Sequence, residues 1–374
     1  MKLLIAAEIF SPDIGGPATY SQELAQALVE IGWRVNLICY SDKKQEDNFK
    51  FKVFRITRTG LKGWHHLKYF FKLFVLAFDC DLIYAQGPVS SGLPAVMIGK
   101  IFRKKVVVKV VGDYAWEQAR NLKKTELGID DFQNQKFNGK IGRLQKIERQ
   151  VCRKSSTVVV PSKYLKQIVE GWKIRTEKIK VVYNSFDLPK SLNKKQSDRN
   201  LIISAGRLVP WKGFDTLISL MPDLLEENPN FELKICGLGP DKEKLEKLIS
   251  DLNLRGKVTI NSLSHQPILE EMSGAGIFVL NSGYEGLSHT VLESMALGVI
   301  TAISAVGGNT ELVNNGINGY LFKYNDREGI KAVILNYYNH PEINKRLIAN
   351  AKEYIKDFTP EKMMADTIKT LQSV

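Results

Sequence analysis

The stretch IFVLNSGYEGLSHTVLESM, residues 277–295, carries the clearest structural signal in the chain. Its first four residues predict a buried strand, a turn with two glycines follows, and the pattern from Leu287 onward predicts a helix. Such a transition is typical of parallel α/β sheets, where each helix begins near the carboxyl edge of the sheet. Because a helix start offers unpaired N–H groups and a positive dipole end, this turn is suited to bind phosphate.

Two carboxylates lie in the same stretch, Glu285 in the turn and Glu293 eight positions later. If helical rise applied throughout, their backbones would lie about 12 Å apart. A diphosphate at the helix start would then have its sugar near Glu285 and its ribose near Glu293, and carboxylate oxygens accept hydrogen bonds from paired hydroxyls. Two surface glutamates on an ordinary helix are the alternative explanation.

A second segment, SAGRLVPWKG at residues 204–213, has the same form. A predicted strand, Leu201–Ala205, ends in a loop that carries Arg207 and Lys212. These cations would neutralise a departing nucleotide diphosphate at the carboxyl edge of the sheet. A solvated loop is the alternative for this segment alone, but two such segments in one domain favour a ligand site.

Strand and helix patterns alternate along the whole chain in two passes, which predicts two doubly wound, Rossmann-like α/β domains that face each other across a cleft. A chain of 374 residues is too long for one ordinary core. We place the linker in the polar stretch 188–199, so that the domains are residues 1–187 and 188–357. Predicted strands are residues 3–9, 33–39, 51–56, 82–85, 106–111 and 157–160, then 201–205, 231–236, 258–260, 277–280, 300–303 and 319–322.

Positive charge is concentrated in the first half of the chain. Residues 1–190 contain 33 Lys and Arg against 18 Asp and Glu, whereas the remainder contains 20 against 22. The basic half therefore implies an anionic partner, and phospholipid, a lipid-linked phosphate acceptor and nucleic acid all fit that field. The four separated cysteines suit a reducing cytosol rather than a disulfide framework. We expect a cytoplasmic protein, with a peripheral position at the inner face of the membrane left open.

The stretch GLKGWHHLKYFFKLFVLAF, residues 60–78, predicts an amphipathic helix. At roughly 100° per residue, its aromatic and aliphatic side chains share one face, and its lysines and histidines share the other. Two explanations stay open: the helix covers the sheet with its apolar face toward the core, or it lies on an anionic membrane. Both would hold if only the basic edge touched lipid.

Together these motifs resemble the retaining GT-B glycosyltransferases of family 4. Members typically show Gly-Arg-Leu with a nearby Lys-Gly, then Glu-Gly-Leu and a second Glu eight residues after the first. Further matches extend over nearly the whole chain, at Gly15-Gly16, Pro161-Ser162, Asn184 with Asp187, and Gly307-Gly308 followed by Glu311.

The resemblance implies a role for each matching residue. Arg207 and Lys212 would contact the donor diphosphate, Glu285 the transferred sugar and Glu293 the ribose. Gly286 and Leu287 belong to the donor-binding motif, Gly16 would let the N-terminal loop approach the donor phosphates, and residues 358–374 resemble a helix that crosses back to the N-terminal domain.

The resemblance further implies transfer of a hexose-type sugar from a UDP- or GDP-sugar to a saccharide or lipid-linked acceptor, with retention of configuration. It implies no metal and no cofactor besides the nucleotide-sugar cosubstrate. It also implies a role in cell-envelope polysaccharide synthesis.

The sequence departs from the family pattern after the fifth predicted strand. Many relatives carry His-Gly-Asp there, and this chain reads Val111-Gly112-Asp113. Asp113 is therefore a candidate catalytic residue, with helix N-capping as the alternative. The segment 114–137 is expected to form a mobile, helical acceptor loop. None of the five histidines has a spacing typical of a metal site, and His289, inside the glutamate motif, lies either near the donor or in the packed interior.

Two other functional classes are less well supported. A Rossmann oxidoreductase needs Gly-x-Gly-x-x-Gly after a strand, and Gly237-Leu-Gly239 lacks the third glycine. A non-enzymatic nucleic-acid-binding protein would use the basic half, but no RNA-binding signature accompanies the charge. Nucleic acid is therefore not among the expected partners.

Overall fold

The computed structural model describes residues 1–13, 16–42, 47–59 and 63–374. The chain forms two compact units: Met1–Val182 with Met364–Val374, here the N-terminal unit, and Tyr183–Met363, here the C-terminal unit. The predicted junction after residue 187 lies slightly C-terminal of the observed boundary after Val182. The predicted junction after residue 357 lies slightly N-terminal of the observed boundary after Met363. The reason is packing, since Tyr183 and Phe358 contact each other inside the C-terminal unit, with ring centroids 5.5 Å apart.

Among the described residues, the N-terminal unit contains a seven-stranded parallel sheet. Its strands are β1 (Lys2–Ala6), β2 (Arg34–Ser41), β3 (Lys52–Thr57), β4 (Leu82–Ala85), β5 (Lys105–Lys109), β6 (Thr157–Val160) and β7 (Ile179–Val181). Its helices are α1 (Gly16–Glu30), α2 (Trp64–Ala77), α3 (Gly92–Phe102), α4 (Tyr114–Asn121), α5 (Ile129–Gln133), α6 (Gly139–Lys154) and α7 (Lys163–Gly171). The strand order is β3-β2-β1-β4-β5-β6-β7.

The C-terminal unit contains a six-stranded parallel sheet. Its strands are β8 (Asp198–Ala205), β9 (Glu232–Cys236), β10 (Val258–Asn261), β11 (Ala275–Leu280), β12 (Ile300–Ser304) and β13 (Tyr320–Phe322). The helices are α8 (Phe214–Glu227), α9 (Lys242–Asp251), α10 (His265–Ser273), α11 (His289–Leu297), α12 (Arg327–Asn339) and α13 (Pro341–Tyr354), and α14 (Pro360–Gln372) follows. The strand order is β10-β9-β8-β11-β12-β13.

The direction of winding reverses beside the first strand of each sheet, between β1 and β4 and between β8 and β11. Open α/β sheets bind ligands at this point, outside the carboxyl ends of the strands. The prediction of two doubly wound α/β domains is confirmed, and every predicted strand is present. The sequence patterns missed β7.

Each unit is stabilised by its own apolar core, in which the strand residues are almost fully buried. All four cysteines are buried and free. No helix within the described ranges is long and apolar enough to cross a membrane.

Candidate functional site

The loops after β8 and β11 meet through an ion pair between Lys212 Nζ and Glu285 Oε1. Only 15% of the lysine side chain and 12% of the glutamate side chain are exposed. Ser282 Oγ donates a second hydrogen bond to Glu285 Oε1 at 2.6 Å. The two motifs that the sequence singled out separately therefore form one charged site where the winding of the sheet reverses.

A fully buried amide, Asn281 at the end of β11, holds this site in place. Its Nδ2 donates to the carbonyl of Gly213 at 3.0 Å and to Asn325 Oδ1 at 2.8 Å, and its Oδ1 accepts from Asn325 N at 2.9 Å. Gly213 has φ +55°, and a Cβ there would lie 2.3 Å from Asn281 Nδ2. The loop that carries Lys212 is thus fixed by a position that only glycine fits.

The glycine pair Gly307-Gly308 supports the other half of the ion pair. Gly308 N donates to the carbonyl of Glu285 at 2.9 Å. A Cβ on Gly307, which has φ +54°, would lie 2.2 Å from that same carbonyl oxygen, and one on Gly308 would lie 2.1 Å from the carbonyl oxygen of Gly286. The pair therefore lets a third loop approach the Glu285-Gly286 backbone directly.

Helix α11 begins at His289, two residues later than the sequence predicts, because Ser288 is its N-cap. The Ser288 hydroxyl accepts from Val291 N at 3.4 Å. Leu287 is buried, and its carbonyl accepts from Asn184 Nδ2 at 3.0 Å. The Asn184 match to the family thus fixes the turn between Glu285 and the helix.

Glu293 is only 4% exposed, and His265 Nε2 at the start of α10 lies 2.7 Å from its Oε1. This hydrogen bond raises the pKa of His265, against the opposing effect of burial. No pattern in the sequence indicates this histidine, because it lies outside the motif that carries Glu293. The alternative of two surface glutamates is wrong, since Glu285 and Glu293 are both largely buried.

Arg207 is exposed on the loop after β8. The loop after β9 packs against it: a Cβ on Gly237 would lie 1.9 Å from the carbonyl oxygen of Gly206, and one on Gly239 would lie 2.3 Å from that of Leu208. The Gly-x-Gly pair that raised the oxidoreductase alternative is therefore explained by close packing against the Arg207 loop.

In the N-terminal unit, Asp113 is the N-cap of α4. Its Oδ1 accepts from Trp116 N at 2.7 Å and its Oδ2 from Gln133 Nε2 at 2.8 Å, and burial raises its pKa. Glu148 accepts from the N–H groups of Tyr114 and Ala115, at 2.8 and 3.1 Å. The structure thus favours capping over catalysis for Asp113, and its catalytic role stays a prediction.

The segment 114–137 is helical, as expected, but it is packed rather than loose. Trp116 and Phe132 are almost completely buried, and Trp116 Nε1 donates to the carbonyl of Leu127 at 2.9 Å. Gly16, the other predicted site residue of this unit, is the exposed first residue of α1, and Gly15 lies outside the described residues.

Two family models match consecutive parts of the chain. The model described as Glycosyltransferase Family 4 matches residues 14–190, and the one described as Glycosyl transferases group 1 matches residues 187–354. An uncharacterised glycosyltransferase of Methanocaldococcus jannaschii is 26% identical over 381 residues, covering 100% of this chain and 99% of the relative. A lipopolysaccharide core biosynthesis glycosyltransferase of Rhizobium meliloti is 28% identical over 46% of this chain and 48% of its own.

Among solved structures, the chain is similar to HepE of Anabaena in complex with UDP-glucose. The TM-score is 0.77 at 18% identity, and the match covers 100% of both chains. At that identity the likeness shows the fold alone, and the fold is GT-B. With both family models placed end to end on these two sheets, the chain belongs to the group 1 glycosyltransferases of the GT-B fold.

Proposed function

We propose that this glycosyltransferase moves a hexose from a UDP- or GDP-sugar to a saccharide or lipid-linked acceptor, with retention of configuration. The observation that carries the proposal is the largely buried Lys212–Glu285 ion pair at the point where the winding of the C-terminal sheet reverses. A cation and a carboxylate held together there match the two ends of a sugar diphosphate.

The pair has a direct consequence for donor binding. Lys212 and Glu285 neutralise each other in the free protein. A donor would separate them, with its diphosphate against Lys212 and Arg207 and its sugar hydroxyls against Glu285. Because negative charge grows on the departing diphosphate as the glycosidic bond breaks, the two cations stabilise the transition state more than the ground state. Positive charge from the protein itself leaves no need for a metal ion in this proposal.

Glu293 would accept hydrogen bonds from the ribose hydroxyls. Its carboxylate is already held by His265, so it is oriented before the donor arrives. Attack by the acceptor hydroxyl from the face that the diphosphate leaves would retain the configuration, with the departing phosphate taking the proton.

The acceptor is proposed from charge and from relatives. The excess of Lys and Arg in residues 1–190 favours an anionic acceptor such as a lipid-linked phosphate. Similarity to a lipopolysaccharide core glycosyltransferase supports a role in cell-envelope polysaccharide synthesis, with the protein in the cytoplasm at the inner face of the membrane. Nucleic acid is not part of the proposal.

A panel of UDP-, GDP- and ADP-sugars tests the donor class. We expect one UDP- or GDP-sugar to raise the melting temperature of the full chain and to be hydrolysed slowly without acceptor. Lys212→Ala should lose both effects, whereas Lys247→Ala, which removes an exposed partner of Asp251 on α9, should keep them. Failure of every nucleotide sugar to stabilise the wild-type protein would contradict the proposal.

A further inference from the structure

The apolar face of α2 points away from the unit that carries it. The residues that α2 buries are Tyr69, Leu73 and Ala77. Phe71, on the opposite side, is 59% exposed, and Phe78 directly after the helix is 76% exposed. The exposed apolar residues follow helical spacing, at Trp64, Leu67, Phe71, Phe74, Val75 and Phe78. The helix does cover the sheet, as one of the two explanations expected, but it does so through Tyr69, Leu73 and Ala77, and most of the predicted apolar face stays exposed.

Helix α3 extends the same surface. On α3, Met97 is 50% exposed and Ile101 is 59% exposed. The ring of Phe102 joins the two helices, since its centroid lies 4.8 Å from that of Phe74 and 6.1 Å from that of Phe78. We call the six α2 residues with Met97, Ile101 and Phe102 the α2–α3 surface. A contiguous exposed apolar patch on a protein surface often marks an interaction site.

Basic residues lie beside the α2–α3 surface. Exposed lysines and arginines lie on the two helices and just after α3, at Lys68, Lys100, Arg103 and Lys105. Neither helix contains an acidic residue, and the only acidic residues in the sequence from 48 to 112 are Asp79 and Asp81. Asp79 is paired with Lys2 and Arg34, at 2.5 and 2.9 Å, and Asp81 accepts from the Lys2 backbone N–H. The charge at the edge of the surface is therefore not neutralised locally.

The combination of exposed aromatic rings and a basic edge identifies the partner. A second copy of the chain would bring two basic edges together, which costs free energy by like-charge repulsion. An anionic bilayer satisfies both parts, since phenyl and indole rings insert at the boundary between headgroups and acyl chains while lysine and arginine pair with lipid phosphates.

We propose that the α2–α3 surface docks the protein onto an anionic lipid bilayer. This inference deepens the proposed function, because it names the surface through which the enzyme would reach a lipid-linked acceptor. Docking itself requires no donor, so it can be measured separately from sugar transfer.

Sedimentation of the full chain with vesicles tests the inference. We expect binding to vesicles of 70% phosphatidylcholine and 30% phosphatidylglycerol, weaker binding in 0.5 M NaCl, and little binding to phosphatidylcholine alone. Phe71→Ser/Phe78→Ser should weaken binding to the anionic vesicles at least tenfold, and Lys100→Glu/Lys105→Glu should remove the preference for them. Ile317→Ser, which changes a 58% exposed apolar residue of the C-terminal unit, should bind as the wild type does.

Three outcomes would overturn the inference. The first is a wild-type protein that ignores anionic vesicles, and the second is a Phe71→Ser/Phe78→Ser variant that binds them normally. The third is a wild-type dimer that the same double variant converts to a monomer, which would assign the surface to a second copy. Donor-induced stabilisation of each variant, measured in parallel, reports on folding and keeps a failure of docking distinct from a failure of the proposed donor site.

Discussion

Replacing Glu285 with glutamine should separate donor binding from transfer. In the free protein, Glu285 competes with the donor diphosphate for Lys212, and both side chains are more than four-fifths shielded from solvent. Glutamine keeps the shape and an acceptor for Ser282 but removes the charge that holds the lysine. The variant should therefore bind a nucleoside diphosphate more tightly while it transfers sugar poorly.

The magnitude follows from the burial of the pair. Exposed ion pairs contribute about 0.2–1 kcal/mol, and this one is largely buried, so its separation costs about 1–2 kcal/mol. Because about 1.4 kcal/mol corresponds to a factor of ten, the affinity for UDP should rise roughly 5- to 30-fold. Loss of a preorganised charge beside the reacting sugar should lower the transfer rate by about 10²–10³.

Calorimetric titration with UDP, or with GDP if the panel selects a GDP-sugar, measures the first effect, and turnover of the selected donor measures the second. Glu227→Gln is the matched control, because it breaks the Lys331–Glu227 pair of the same unit and should change neither quantity. Weaker nucleotide binding by Glu285→Gln, or normal transfer, would refute the competition that we infer.

Three further predictions concern packing and burial. Gly307 has φ +54°, and a Cβ there would lie 2.2 Å from the Glu285 carbonyl oxygen, so Gly307→Ala should lower the melting temperature and reduce the transfer rate at least tenfold. Gly316 has φ +73° but open space around it, so Gly316→Ala should cost only about 1 kcal/mol of stability and leave transfer unchanged. Equal loss of activity in both variants would contradict the role of close packing at Gly307. Asp113→Asn keeps the cap acceptor, so transfer rates within threefold of wild type are expected, and a hundredfold loss would instead support catalysis. Burial lowers the pKa of Lys109 to about 7, so its unfavourable effect is largest below pH 7 and fades as pH rises toward the unfolded value. Lys109→Met should therefore raise the free energy of unfolding in urea by about 3 kcal/mol more at pH 6 than at pH 9.5, and a gain independent of pH would argue against the lowered pKa of Lys109.

The parts of the site that the sequence reveals are those with local signals. Lys212 and Glu285 each follow a short buried strand in the chain, and the carboxyl ends of parallel strands meet at one edge of the sheet. Their convergence could therefore be expected before the structure was known. The spacing of Glu285 and Glu293 likewise placed both in the donor motif.

The parts that the sequence could not reveal depend on contacts between distant segments. His265 reaches Glu293 from another helix, and Asn281 joins two loops that no short motif connects. Similarly, the periodicity of α2 marks an apolar face but does not say which face the sheet covers, and the sheet covers the side with Tyr69 and Leu73. For Asp113, a family position suggested catalysis where the local geometry shows a helix cap.

A crystal structure of the full chain, soaked with the donor that the panel selects, would locate the nucleotide diphosphate. We expect its oxygens within hydrogen-bond distance of Lys212 Nζ and the Arg207 guanidinium, with the sugar hydroxyls on Glu285 and the ribose hydroxyls on Glu293. A diphosphate bound elsewhere, with the Lys212–Glu285 ion pair still intact, would contradict this expectation.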